Sequence, residues 1–267
     1  MKDELSGQEL FMRQHKSHHR QIAFLRLLLL VLFLIAWEMS ARSGAIDSFF
    51  FSSPCKVISL FFTMCRDGSL FPHIGITLFE TLVSFLLVFV VSLLLATLLW
   101  HSAKLSEIAE PYLVVLNSLP KSALAPLFIV WLGTGTKTII VAGISVAVFG
   151  SVISFYTAFR QCDPEKITLI YTLGGSRKDV FQKVVLPSSV PLLLSTMKVN
   201  IGLALVGVII GEFLAARRGL GYLIIYGSQV FQLNLVILNI ILLCLIAMGF
   251  YKVVQIIEHQ IRKKMHL

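Results

Sequence analysis

Apolar runs of about twenty residues recur along this chain, and a run of that length crosses the hydrocarbon core of a bilayer as a helix. They fall at roughly residues 22–37, 77–100, 112–132, 138–159, 192–211 and 236–254. Inside a bilayer no water is at hand for backbone N–H and C=O groups, so each span must satisfy them internally, as a helix does. Composition agrees: 57% of the 267 residues are hydrophobic, only 14% are charged, and the mean hydropathy is +0.85. The expected fold is all-α, a polytopic membrane helical bundle of about six transmembrane helices. The first run is longer than the core of a signal peptide and further spans follow it, so it reads as an uncleaved helix.

The net charge of +9 is not a nucleic-acid signature, because the basic residues sit in separate segments between spans. Lys2, Arg13, Lys16, Arg20 and Arg26 precede or open the first span, Lys104 follows the second, and Arg160, Lys166, Arg177, Lys178 and Lys183 follow the fourth. Lys252, Arg262, Lys263 and Lys264 close the chain. The alternate segments hold fewer: Arg42, Lys56, Arg66, Lys137, Arg217 and Arg218. Basic residues mark the cytoplasmic side, which places both termini and residues 163–191 inside. His15, His18 and His19 read as solvated tail residues rather than a metal site, and the four cysteines as free thiols. No metal or cofactor is expected.

Residues 163–191 form the longest polar passage between two spans, yet they carry helix signals. Glu165 to Leu173 suits a short helix, and Gly174-Gly175 interrupts it with a turn. Ser176 with Asp179 three residues on forms a capping box for a second helix, which Pro187 is expected to stop. Val180, Phe181, Val184 and Val185 give that helix apolar contacts. Two short helices about a glycine turn make a part suited to being gripped.

This stretch resembles a family signature. Gly174, nine residues, then Val184, one residue and Leu186-Pro187 is similar to the EAA loop of ABC-importer membrane subunits. Leu173-Gly174-Gly175-Ser176-Arg177 resembles the sequence around that glycine in the nitrate, sulfonate and taurine branch. Leu119-Pro120-Lys121-Ser122-Ala123-Leu124-Ala125-Pro126-Leu127 and Glu212 with Gly219-Leu220-Gly221-Tyr222 are similar to two further blocks of that family. The chain departs from the pattern at Thr168, Leu169 and Ile170, where the E-A-A triplet falls, and at Glu80, where the family often carries arginine. Glu80 is read as a wet carboxylate at a membrane edge.

The resemblance implies a permease subunit in a prokaryotic cell membrane, working as a homodimer with two cytoplasmic ATPase subunits and an external solute-binding protein. It divides the chain into a cytoplasmic segment (1–21), a permease domain (22–256) with its coupling loop at 163–191, and a basic cytoplasmic tail (257–267). Thr168, Leu169, Ile170, Gly174, Gly175, Ser176, Phe181, Val184, Leu186 and Pro187 would then meet the ATPase. Leu169, Ile170, Phe181 and Val184 are expected to fill its cleft, in preference to a charge contact from Glu165. The implied solute is a small organic anion such as a sulfonate, or a related small solute. No G-x-x-x-x-G-K-[ST] loop occurs, so ATP hydrolysis is expected in a partner and no enzyme activity here.

Polar residues within the spans are candidates for a pathway or gate: Pro120, Lys121, Pro126, Lys198, Asn200 and Glu212. The proline breaks serve either as a kink in a packing helix or as a pathway lining, and both readings stand. Gly202 and Gly207 are read as points of close helix approach. A secondary transporter or channel without an ATPase is the alternative, but it would need coupling charges, and only Lys121 and Lys198 stand out.

Overall fold

The computed structural model describes residues 7–265, and among them every regular element is helical. The chain divides into two compact units, Met1–Thr63 and Met64–Leu267. The first holds α1 (Gly7–Arg42), α2 (Ser48–Phe51) and most of α3 (Pro54–Arg66). The apolar stretch Phe24–Arg42 of α1 leaves its side chains exposed, as a helix in lipid does. Glu38 ties its own end together, accepting from the Arg42 guanidinium (2.6 Å) and the Cys55 N–H (3.1 Å). The side chains of His15 and His19 lie outside the described residues.

The second unit runs α4 (Leu70–His101), α5 (Ala103–Ser118), α6 (Lys121–Leu132), α7 (Thr136–Arg160), α8 (Pro164–Thr172) and α9 (Arg177–Val180). A π-helical turn (Phe181–Val185) leads into α10 (Leu186–Ala215), followed by α11 (Leu220–Gln229) and α12 (Leu233–Lys264). Among the described residues, five helical paths are long and apolar enough to cross a membrane, or six if α5 and α6, bent by 96° at their break, count as one span.

Helix α7 is the centre, packed by α4, α5, α6 and α10. Its approach to α10 is set by Gly207 and Gly211, spaced as G-x-x-x-G. A Cβ at Gly207 would lie 2.8 Å from the Ala142 carbonyl, and one at Gly211 2.9 Å from the Ile139 Cα. Gly202 meets nothing within 4 Å, so the expected pair of close contacts is Gly207 with Gly211 instead. Hydroxyls add cross-links where lipid offers no competing water: Ser84 donates to the Ile140 carbonyl (3.3 Å), Ser92 to Val148 (3.2 Å) and Ser189 to Ala158 (3.1 Å).

Three local expectations are corrected. Helix α4 starts at Leu70, so Glu80 lies about 15 Å along it rather than at its edge, and it is wholly buried. The third span breaks at Leu119-Pro120 only; Pro126 sits inside α6, which continues past it. Pro187 does not stop a helix. The π turn lets the Leu186 N–H reach the Phe181 carbonyl five residues back, widening the ladder where the proline ring would press on it. The chain from Arg177 to Ala215 is thus one helical path.

Candidate functional site

The segment between α7 and α10 is built as the sequence suggests at its turn. Asp163 caps α8 by accepting the Glu165 N–H (2.9 Å). At the far end, the Gly175 N–H donates to the Ile170 carbonyl (2.9 Å) and the Gly174 N–H to Tyr171 (3.0 Å), the bond pair of a Schellman cap. Gly174 has φ +78°, and a Cβ there would meet nothing, so backbone conformation alone demands glycine. Ser176 and Asp179 form both halves of the capping box on α9.

What lies beneath this turn differs from expectation. Val180, Phe181 and Val185 are buried in a cluster with Ala96, Phe155, Phe159 and Leu193. The Phe181 ring meets Phe159 edge-on (5.3 Å), Trp100 (5.1 Å) and His101 (5.5 Å). Phe181 therefore seats the segment on α4 and α7 and is not free to fill a partner's cleft; Ile170 and Val184 are half-buried against the same cluster. Arg177 locks the seat, donating to the Trp100 carbonyl (3.0 Å) with its guanidinium over that indole (5.3 Å). The exposed apolar side chains are Leu169 (57%), Tyr171 (48%) and Leu173 (74%). Of these, Tyr171 and Leu173 were not singled out from sequence; Leu173 stands next to the turn glycine, and that position was its signal. Thr168 is exposed, with its hydroxyl turned back to the Pro164 carbonyl (2.9 Å). Leu186 and Pro187 are half-buried at the start of α10.

The six pathway candidates fall in three separate places. At the break, Pro120 is exposed and Lys121 folds back on α5, donating to the carbonyls of Leu116 (2.6 Å), Asn117 (2.7 Å) and Leu119 (3.0 Å). These are acceptors that a helix end leaves without N–H partners, so the ammonium caps α5 and holds the bend. Pro126 is exposed on α6. On α10, Lys198 pairs with Glu258 of α12 (2.5 Å), and Arg262 shares that carboxylate (3.0 Å). Asn200 is buried, and its side-chain nitrogen has no partner among the described residues.

Glu212 organises the third place. Its carboxylate accepts from the Thr77 hydroxyl (2.6 Å) and the Gly221 N–H (2.6 Å), while the Leu220 N–H donates to the Thr77 oxygen (2.9 Å). The Gly219 N–H donates to His73 Nδ1 (3.0 Å), and Gly219 lies so close over the Glu212 carboxylate that no Cβ fits. The His73 ring stacks on Tyr222 (6.2 Å), and the Gly135 N–H bonds the Ala215 carbonyl (3.0 Å). The ends of α4, α7, α10 and α11 are thereby knotted around one buried carboxylate, which explains the spacing between Glu212 and the glycine block. Glu80 lies one turn along α4 from Thr77, with Glu212 and Thr136 as polar neighbours. Neither Glu80 oxygen makes a hydrogen bond of ordinary geometry.

The model of the family described as "Binding-protein-dependent transport system inner membrane component" matches residues 88–263. A "Probable ABC transporter permease protein" of Haemophilus influenzae is 30% identical over 86% of this chain and 94% of its own. The formylaminopyrimidine transport permease protein ThiX of Halalkalibacterium halodurans is 26% identical over 73% and 77%. The putative aliphatic sulfonates transport permease protein SsuC of Bacillus subtilis is 25% identical over 93% and 90%. In fold, the chain is similar to a structure of the MetNI methionine ABC transporter in an inward-facing conformation, with TM-score 0.61, 18% identity, and 78% and 98% of the two chains covered.

Proposed function

Because the chain belongs to the family of binding-protein-dependent transport system inner membrane components, we propose that it forms the solute pathway of an ATP-binding-cassette importer and couples that pathway to a separate ATPase. The observation that carries this reading is the 163–191 segment: a rigid turn with Leu169, Tyr171 and Leu173 outward, seated on α4 and α7 through Phe181 and Arg177. Exposed apolar side chains on a rigid, polar-rimmed turn are what a cleft on a partner can grip.

Under this reading the segment receives the ATPase on the cytoplasmic face, both termini are cytoplasmic, and the subunit works as a homodimer with two ATPase subunits and an external binding protein. ATP is hydrolysed in the partner. The permease contributes differential contacts in two states, and closure of the ATPases shifts the balance between them. The solute is a small organic molecule; the branch resemblance supports a sulfonate, and relatives named for formylaminopyrimidine and for sulfonates bracket the range.

Lys121 is engaged by backbone carbonyls and Lys198 is paired with Glu258, which weighs against a self-sufficient ion-coupled carrier, since that would need charges free to bind and release an ion. The test is co-purification of the full chain with its ATPase, followed by reconstitution in vesicles. Stable association and vanadate-sensitive uptake are expected; uptake driven by an ion gradient without ATPase would overturn the reading.

A further inference from the structure

The strongest unspent chemistry in the molecule is the carboxyl of Glu80, wholly buried beside Thr136 and Glu212, with neither oxygen in a hydrogen bond of ordinary geometry. A buried charged or polar group without partners is costly and seldom left so. Glu80 forms part of the wall of a cavity of about 430 Å³, shared with Ile76, Thr134, Thr136, Arg217 and Arg218. Thr134, Arg217 and Arg218 are exposed at its mouth, whereas Glu80 and Ile139 lie deep.

The charges elsewhere in the spans narrow what this cavity accepts. The two lysines that would attract an anion are both occupied, Lys121 by the α5 carbonyls and Lys198 by Glu258. A plain anion entering past Arg217 and Arg218 would meet Glu80 and, behind it, Glu212. A plain cation would first have to pass two arginines. A molecule with an amino group at one end and an acceptor or anionic group at the other satisfies both ends. Its N–H groups supply well-directed donors where Thr136 and Glu212 make no bond of ordinary geometry to Glu80, and its acceptors face the guanidinium forks.

We propose that this cavity is a solute site selecting small amphoteric molecules, with the amino group on Glu80 and the acceptor end toward Arg217 and Arg218. The inference rests on the importer reading and specifies the class of its solute: an amine-bearing compound rather than a simple sulfonate.

The test uses the full chain with its four native cysteines replaced by serine and Thr134→Cys as reporter at the cavity mouth. An impermeant thiol reagent labels the reporter, and probes at millimolar concentration are scored by how far they slow labelling. Two pairs differ only by amine against hydroxyl: taurine with isethionate, and β-alanine with 3-hydroxypropionate. The amine member of at least one pair is expected to slow labelling fivefold or more and its hydroxyl twin less than twofold. Glu80→Gln should abolish the protection and Glu80→Asp should retain part of it, with probe-free labelling and membrane levels reporting on folding. Equal protection within both pairs, protection by neither, or protection that survives Glu80→Gln overturns the proposal. ATPase association, measured on the same preparations, reports on the importer reading separately.

Discussion

Replacing Leu173 with alanine isolates the grip of the coupling turn from its seat. Leu173 is 74% exposed and Leu169 57%, so neither contributes much to the permease's own stability, and their loss alone should cost within about 0.5 kcal/mol. Burying a leucine side chain fully is worth about 1.5–3 kcal/mol. Scaled by the exposed share, Leu173 offers an ATPase cleft about 1–2 kcal/mol, a five- to thirty-fold change in affinity. Phe181→Ala acts elsewhere: it empties a site bounded by Phe159, Trp100 and His101, and removal of a buried phenylalanine costs about 3–5 kcal/mol of stability. Affinity of the solubilised permease for purified ATPase, read beside thermal stability, separates the two. Leu173→Ala should lower affinity with the melting temperature unchanged, and Phe181→Ala should lower the melting temperature first. Full stability of Phe181→Ala with a larger affinity loss than Leu173→Ala would refute the inward seat.

Gly174→Val should reach the membrane but lose coupled uptake, because a β-branched residue at φ +78° costs on the order of 1–3 kcal/mol and the turn would reopen; normal uptake would count against the turn's role. Lys121→Met removes three hydrogen bonds at the bend, and after allowance for its partial exposure a loss of about 1–3 kcal/mol is expected as a lowered melting temperature in detergent, an unchanged one being the contrary result. A single cysteine beside Arg217 should react with an impermeant reagent from outside while one beside Lys178 should not, and the reverse pattern would invert the assigned topology.

The spans were legible because twenty apolar residues have few fates, and the Gly174 turn because its signals are local: an acidic cap, a glycine pair, Ser176 with Asp179. The facing of Phe181 was not. A π turn adds a residue to the helical path, so a wheel drawn at 3.6 residues per turn loses phase there, and nothing in the local sequence announces it. Glu80 was misplaced because the helix outruns the apolar run. That run begins near Thr77, but the helix begins at Leu70 and takes Pro72 into its first turn, where a missing N–H leaves nothing unpaired. Pairing of Lys198 with Glu258 joins residues far apart in sequence, and composition carries no trace of it. Gly207 and Gly211 stand in the sequence as a strict G-x-x-x-G, yet pairing Gly207 with Gly202 passed over it, and only the contact with α7 singles out the right pair.

Under the importer reading, in which the ATPase grips the Gly174 turn, the same π turn bears on how work crosses the membrane. From Arg177 to Ala215 the chain is a single helical path of 39 residues, roughly 55–60 Å, with the gripped turn at one end and the Glu212 knot at the other. Along it, Gly207 and Gly211 hold it against α7, and Ser189 bonds the Ala158 carbonyl nearer the gripped end. A lever so tightly packed transmits displacement better than it absorbs it, since close-packed interiors resist compression. Its one irregular turn lies next to the gripped segment, where the Ser188 hydroxyl bonds the Val184 carbonyl and the Ser189 hydroxyl the Val185 carbonyl (2.7 Å). These hydroxyls bond carbonyls beside the π turn and Pro187, and side-chain bonding to the helical ladder is a cause of helix bending. On that reading a bend falls most readily at the π turn, next to the segment proposed to receive the ATPase, and leaves the far end, bonded through Glu212 to α4 and α11, to move as one body.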